Sequence, residues 1–198
     1  MPPVPSGFGA QLDSRGVRLP QGAVPAAADR RDLDARALEV LWPQCELGLG
    51  SFLVQLLGDR PAAEDVLQET WIVASTAPFG ELEHQRAWLY GVARRLALRS
   101  LRSDRRRRYY EHRAAPSEAA EYAAASVDAL FVAATLRKVL EPEERAMVLL
   151  RYSHGFDAAE LAEILGITQE ATRKRLSRAT TRLADAIREI ESRSLDTR

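Results

Sequence analysis

The sequence predicts an all-α protein of two small helical domains joined by a flexible linker, the C-terminal one containing a helix-turn-helix. Three observations predict it. Ala, Leu, Arg and Glu dominate most of the chain, with few β-branched clusters, a composition that favours helix. Apolar residues recur at helical spacing in successive segments separated by Pro, Gly or runs of charge. Residues 157–187, reading DAAELAEILGITQEATRKRLSRATTRLADAI, divide into two helical patterns around Gly166-Ile167-Thr168.

Residues 1–30 hold Pro2, Pro3, Pro5, Pro20 and Pro25 with Gly7, Gly9, Gly16 and Gly22, and no periodic pattern survives there. They read as a flexible tail. A first domain spans 31–103. Its opening helix should start near Asp32, with Leu33, Ala37, Leu38 and Leu41 on one face. Pro43 is expected to interrupt it, and a second apolar helix follows through Leu47, Phe52, Leu53, Leu56 and Leu57. Gly58-Asp59 closes that helix, and Pro61 suits the first turn of a third. The third, PAAEDVLQETWIVAST, has a core stripe of Ala63, Leu67, Trp71 and Ala74, widened by Val66 and Thr70.

The opposite strip of this helix is polar: Glu64 and Gln68 lie one turn apart, as do Asp65 and Glu69. The like-charged pair Asp65/Glu69 costs a few tenths of a kcal/mol in an isolated helix, about 0.2–0.5. Ile72 extends the strip with an apolar side chain that the helix has no need to expose. The strip is either a solvated acidic face or a docking surface for a basic partner helix.

Ser75 to Glu83 contains Pro78 and Gly80 and reads as a loop. A long helix follows from Gln85 to Ser103, with Trp88, Leu89, Val92, Ala93 and Leu96 able to face the core and Arg95, Arg99 and Arg102 along an adjoining face. From Arg86 to Arg113 there are ten arginines against Asp104 and Glu111 alone, and four of them run consecutively before Tyr109-Tyr110. A solvated basic face competes here with a polyanion-binding one. Residues 104–125, around Pro116, read as the linker.

The second domain spans 126–190, with 191–198 as a tail. Ser126 is a plausible cap, and Val127, Leu130, Phe131, Ala134 and Leu140 form a core face. Pro142 opens another helix with Met147, Val148, Leu150 and Tyr152 among its apolar residues, and Gly155 ends it. Asp157 and Glu160 stand at capping-box spacing, so a helix should start at Ala158 and present Leu161, Ile164 and Leu165. Gly166 can adopt the left-handed conformation that stops it, and Thr168 can cap the next helix. That last helix carries Arg173, Lys174, Arg175, Arg178 and Arg182 before its first downstream acid, Asp185. A cationic second helix in a helix-turn-helix suits the major groove and the phosphates of duplex DNA.

Formal net charge is zero, yet basic and acidic residues are segregated, which implies separate surfaces for separate partners. Cys45 is the single cysteine, so no intramolecular disulfide forms, and the expected compartment is the reducing cytoplasm. The cysteine and the scattered His84, His112 and His154 make no metal-binding pattern, and no cofactor motif appears. No uninterrupted apolar run approaches membrane-spanning length, and no secretion signal opens the chain, so no membrane insertion is expected. Nothing pairs a nucleophile with a base, so an enzyme is not expected.

Three blocks in order, AEDVLQETWIVA, RAWLYGVARRLALRSLR and LEPEERAMVLLRYSHGFDAAELAEILGITQEATRKRLSRA, resemble the bacterial RNA polymerase sigma factors of the extracytoplasmic-function (ECF) type. The resemblance covers roughly residues 32–187. It implies that the PAAEDVLQETWIVAST helix docks on core RNA polymerase, at the β′ coiled coil, through Asp65, Gln68, Glu69 and Ile72, with the β flap as a further contact. It also implies that Arg94, Arg95, Arg99 and Arg102 contact the minus-ten element of promoter DNA, whose opening falls to the 75–83 loop and the following helix start. Arg173, Lys174, Ser177 and Arg178 match positions at the minus-thirty-five element, with Arg175 on phosphate; Thr168 and Glu170, at the head of the same helix, are counted with this DNA-binding set. An anti-sigma factor is the implied regulator. Trp88 matches too, but its place on the apolar stripe favours a buried role. Two departures bear on promoter sequence: Glu170-Ala171-Thr172 replaces the usual small-Thr-Val run, and Arg95 stands where relatives often carry Asn. Two rival readings are a sigma-like decoy that sequesters an anti-sigma factor without binding DNA and a one-component repressor. The first has no use for the basic recognition helix, and the second leaves the acidic strip without a purpose.

Overall fold

A computed structural model describes residues 27–79, 84–111 and 127–196, with side chains for 34–79, 84–105, 132–190 and 192. All regular structure among these residues is helical: α1 Ala27–Leu57, α2 Arg60–Thr76, α3 Gln85–Glu111, α4 Val127–Val139, α5 Pro142–Tyr152, α6 Ala158–Leu165 and α7 Gln169–Asp196. Residues 1–26, 80–83, 112–126 and 197–198, which hold most of the expected N-terminal tail, part of the 75–83 loop, most of the linker and the Ser126 cap, lie outside the described residues.

Among the described residues three helices, where the sequence predicts four, precede residue 112, because Pro43 does not interrupt α1. Proline removes one backbone donor and costs a helix interior about 3 kcal/mol. Against that, Leu38, Trp42, Cys45, Leu49, Phe52, Leu53 and Leu56 are all buried in one helical row on both sides of it. Each such side chain gains roughly 1.5–3 kcal/mol from burial, and a break would throw half the row out of register. Gln44 also turns its side-chain amide back onto the Val40 carbonyl, at 2.9 Å, beside the loosened turn. The 34–57 stretch, with a mean hydropathy of 1.2, passes as a membrane span by length and composition. Here its apolar row packs against α2 and α3, as the core helix of a bundle does.

Other helix ends also move. α1 starts at Ala27, before the predicted Asp32, because the Ala-rich run after Pro25 has high helix propensity. α2 continues through Ser75 to Thr76. α3 runs past Ser103 to Glu111, and α7 runs past residue 190 to Asp196. In both places no Gly or Pro intervenes to stop a helix already propagating. Gly58, at φ 73°, ends α1, and the Asp59 carboxylate accepts from the Ala62 amide at 2.9 Å to start α2.

The two halves share one continuous core. α3 carries Leu89, Tyr90, Gly91, Val92 and Ala93 buried in succession, so it is covered on more than one side. One cover is α1 and α2; the other is α5 and α6 from the C-terminal half. Phe156 is fully buried against the Tyr90 ring, 4.9 Å between centroids, and His154 meets Tyr90 and Phe52 at 5.3 and 5.7 Å. Arg145 reaches across to donate to the Leu56 carbonyl at 2.7 Å, and Arg86 donates to the His154 carbonyl at 2.6 Å. A Cβ at Gly48 would come within 2.5 Å of the Tyr90 hydroxyl, so that position needs glycine.

Some predicted core residues stand elsewhere. Trp71 lies at the rim, 37 % exposed, because the helical row actually buried is Ala63, Val66, Thr70 and Ala74. Ala134 is exposed, and Thr135 and Leu136 face the core in its place on α4; Tyr152, at the end of α5, is exposed as well. Trp88 is half-buried, edge-on to Phe79 at 5.9 Å.

Candidate nucleic-acid interface

Local chemistry builds the helix-turn-helix. The Asp157 carboxylate accepts from the Ala159 and Glu160 amides at 2.7 and 2.9 Å, and Glu160 accepts from the Asp157 amide at 2.8 Å. Those backbone bonds hold the Asp157 carboxyl below the usual carboxylate range. Gly166, at φ 65°, ends α6 in the left-handed region, and Thr168 Oγ1 accepts from the Ala171 amide at 3.2 Å to cap α7.

On α7, Thr172 and Ala179 are fully buried and Leu176 half-buried, which fixes the rotation of the helix. The opposite face is thereby turned to solvent, and Arg173, Lys174, Arg175, Ser177 and Arg178 are all exposed on it. Glu170 sits at the head of this face, paired with Lys174 at 2.6 Å. That pairing lowers the acid's repulsion of a phosphate. Arg182, one turn beyond, is tied to Glu144 of α5.

The four arginines of α3 are less alike than their spacing implies. Arg95 is exposed. Arg94 is half-buried, and its Nε has no protein hydrogen-bond partner. Burial pushes its guanidinium pKa down, partly offset by Glu143. Arg102 donates to Glu143 of α5 at 2.8 Å, and this bond holds the Glu143 carboxyl below its ordinary range. Arg99 donates to Glu69 of α2. The predicted basic face of α3 is therefore partly neutralised, by one acid of its own half and one of the other. Glu143 and Glu144 were legible only as part of an acidic pool at 141–144, and nothing in their spacing pointed to Arg102 or Arg182 as partners.

The polar strip on α2 is split between two clefts. Asp65 and Glu69 line a polar one of about 580 Å³ with Arg99, Ser100 and Ser103. Gln68 and Ile72 line a more apolar one of about 500 Å³ with Trp42, Leu67 and Trp71. Ile72 is 60 % exposed, and the two tryptophans meet edge to face at 4.9 Å. Trp42 was not legible as a cleft residue because its exposure depends on where α2 lies across α1. Among the described residues no group of His, Cys, Asp and Glu is arranged to hold a metal ion.

The fold joins a helical N-terminal half, with an acidic helix beside a basic one, to a helix-turn-helix, a layout suited to binding DNA. Residues 48–107 match the family model of sigma-70 region 2, and residues 138–183 match that of sigma-70 region 4. The ECF RNA polymerase sigma factor SigL of Mycobacterium tuberculosis is 30% identical over 181 residues, spanning 88% of this chain and 97% of SigL. SigJ from the same organism is 35% identical over 141 residues, 66% of this chain and 45% of SigJ. The chain belongs to the ECF sigma factors. In fold it is similar to the sigma factor RpoE of Bartonella quintana, solved with the anti-sigma factor NepR (TM-score 0.63, 22% identity, 76% of this chain and 96% of that one). It is also similar to CnrH, solved with the cytosolic domain of CnrY (TM-score 0.57, 23% identity, 81% and 97%). As a sigma factor it directs promoter recognition and the initiation of transcription, a role that sigma factors perform without being enzymes themselves.

Proposed function

We propose that this chain works in the cytoplasm by joining core RNA polymerase through Asp65, Gln68, Glu69 and Ile72 on the β′ coiled coil, with the C-terminal half at the β flap. Residues 31–103 then carry the minus-ten contacts, Arg94, Arg95, Arg99 and Arg102. Residues 126–190 carry the minus-thirty-five contacts, Thr168, Glu170, Arg173, Lys174, Arg175, Ser177 and Arg178. The observation that carries the reading is the rotation of α7, whose buried Thr172 and Ala179 leave the cationic face free for a DNA groove.

Phosphate contacts supply affinity and base-edge contacts supply sequence choice. Two weak sites on one chain raise each other's effective concentration. No catalytic group is needed to open the duplex, because binding of the unpaired strand offsets the cost of unstacking. An anti-sigma factor is the proposed regulator; RpoE, similar in fold, is seen with the anti-sigma factor NepR. The exposed basic face of α7 favours a DNA-binding factor over a decoy.

The test is run-off transcription with purified core polymerase on templates carrying randomised upstream sequence. A working factor yields transcripts enriched in one pair of spaced elements. No transcript and no association with core polymerase at low ionic strength would overturn the reading.

A further inference from the structure

We propose that Glu144 of α5 limits how much phosphate backbone the recognition helix can hold, by keeping Arg182 as its own counterion; this rests on the sigma-factor reading above. The sequence alone points the other way. Arg175, Arg178 and Arg182 stand at i, i+3 and i+7 on α7, so a helix places all three along one side. With Arg182 included, the cationic run that starts at Arg173 lengthens from about 8 Å of helix axis to about 14 Å, at roughly 1.5 Å per residue.

The structure takes Arg182 out of that run. Its guanidinium donates to Glu144 Oε1 where α5 and α7 pack together. Glu144 is placed for this by its own helix. Its other oxygen, Oε2, accepts from the Glu141 amide at 3.3 Å and closes the capping box that starts α5, and the side chain is only 29 % exposed. On the α7 side, buried Ala179 with half-buried Leu176 and Leu183 fix the direction in which Arg182 leaves the helix.

The place of Arg182 decides which kind of DNA contact is withheld. Recognition helices meet base edges with their first turns. Arg182 lies almost four turns past the Thr168 cap, about 21 Å along the axis, where the remaining target is phosphate. Phosphate contacts carry no sequence information. While Glu144 holds Arg182, this turn of α7 brings no net charge to the duplex. A guanidinium that swung to a phosphate would leave the Glu144 carboxylate uncancelled beside the DNA, so no counterion release is gained either way. The cations of α7 therefore act on DNA no farther along than Arg178. Weaker backbone binding shortens the stay on wrong sequences and leaves base-edge contacts a larger share of the affinity.

Glu144 is thus a positioning residue that acts through Arg182; the alternative is a plain packing contact between α5 and α7. Salt dependence separates the two. Glu144→Gln removes the charge and keeps an oxygen for the Glu141 amide, because glutamine serves a capping box as glutamate does. In holoenzyme on a promoter selected by run-off transcription, it should steepen the fall of log affinity with log salt by about 0.9, one phosphate contact. That is a factor of about 3 between roughly 50 and 200 mM salt. Arg182→Ala should leave the wild-type slope unchanged and return the Glu144→Gln slope to it. Circular dichroism and the melting temperature of each full-length variant report packing separately. A lowered melting temperature with an unmoved slope in Glu144→Gln assigns the pair to packing and overturns the proposal. A slope flattened by one contact in Arg182→Ala alone also overturns it, whether or not Glu144→Gln folds, since Arg182 would then already hold phosphate. If the wild-type chain yields no transcript with core polymerase, the sigma-factor reading fails and takes this proposal with it. Normal transcription with identical slopes removes the proposal only.

Discussion

Arg99 of α3 donates to Glu69 of α2, so a guanidinium assigned to promoter DNA and a carboxylate assigned to polymerase are each other's counterion. At 68 % and 42 % side-chain exposure this pair contributes at most about 1 kcal/mol to the fold. Its interest lies in linkage. A basic partner helix that takes up Glu69 frees Arg99 for phosphate, so polymerase binding and DNA binding favour one another.

Asp65→Arg combined with Glu69→Arg should therefore abolish binding to core polymerase while the chain keeps its helix content. Both positions border solvent in the polar cleft, and the change places two more cations beside Arg99. Fluorescence anisotropy with core polymerase measures the affinity, and circular dichroism checks the fold. Unchanged affinity would defeat the assignment of this strip.

Arg178→Ala should separate the two activities. The side chain is exposed on α7, clear of the buried Thr172 and Ala179. Loss of a base-edge contact should cost about 1–3 kcal/mol of promoter binding and relax the preference at one base pair. Binding to core polymerase should stay within about twofold, a change below roughly 0.5 kcal/mol. Arg99→Ala, by contrast, should weaken all promoters alike and flatten the salt dependence by about one phosphate contact. Salt titrations of holoenzyme on matched and mismatched promoters distinguish the two patterns.

How legible each feature was in the sequence depended on how local its cause is. The capping box at Asp157/Glu160, the stop at Gly166 and the cap at Thr168 are written within a few residues, and the structure places each where the spacing predicts. Pro43 misled because its local penalty is outweighed by a buried row that becomes visible only once α2 and α3 are packed on α1. The union of the halves was illegible for the same reason: Arg145 and Leu56, or Tyr90 and His154, are far apart in sequence and have no shared periodicity. One signal was present. Leu89 to Ala93 is apolar or small all round the helix, a pattern that requires cover on both sides.

Gly166→Ala should destabilise the helix-turn-helix by about 1–2 kcal/mol, because an L side chain is strained at φ 65°. Nothing crowds the site, so the penalty is backbone strain alone. Thermal denaturation should show a drop of a few degrees, with affinity for the minus-thirty-five element falling alongside. An unchanged melting temperature would mean that the turn relaxes to a different backbone conformation.

The last prediction concerns pH. Burial, and next to it the Arg86 guanidinium, holds His154 down at about 4, against an ordinary value of 6.5. Its Nδ1 lies 3.3 Å from the Tyr90 hydroxyl, whose own pKa is pushed up to about 12 by burial. Once the halves part or the chain unfolds, the imidazole recovers its ordinary pKa and takes up a proton first. Well above pH 6.5, from about 7.5 upward, it is essentially neutral in both states and contributes little pH dependence. As pH falls from about 6.5 toward 4, the open and unfolded states bind protons that the docked state excludes, so docking weakens progressively. Glu143 and Asp157, with depressed pKa values, lose their stabilising contribution only at still lower pH. The interval between 6.5 and about 4.5 thus belongs to His154. Thermal denaturation should be nearly flat from pH 8.5 to 7.5, begin to bend near 7 and fall across that interval. His154→Asn, which keeps a polar group near Tyr90 but cannot take up this proton, should flatten the fall. Equal slopes for the two proteins would show that some other group carries the proton.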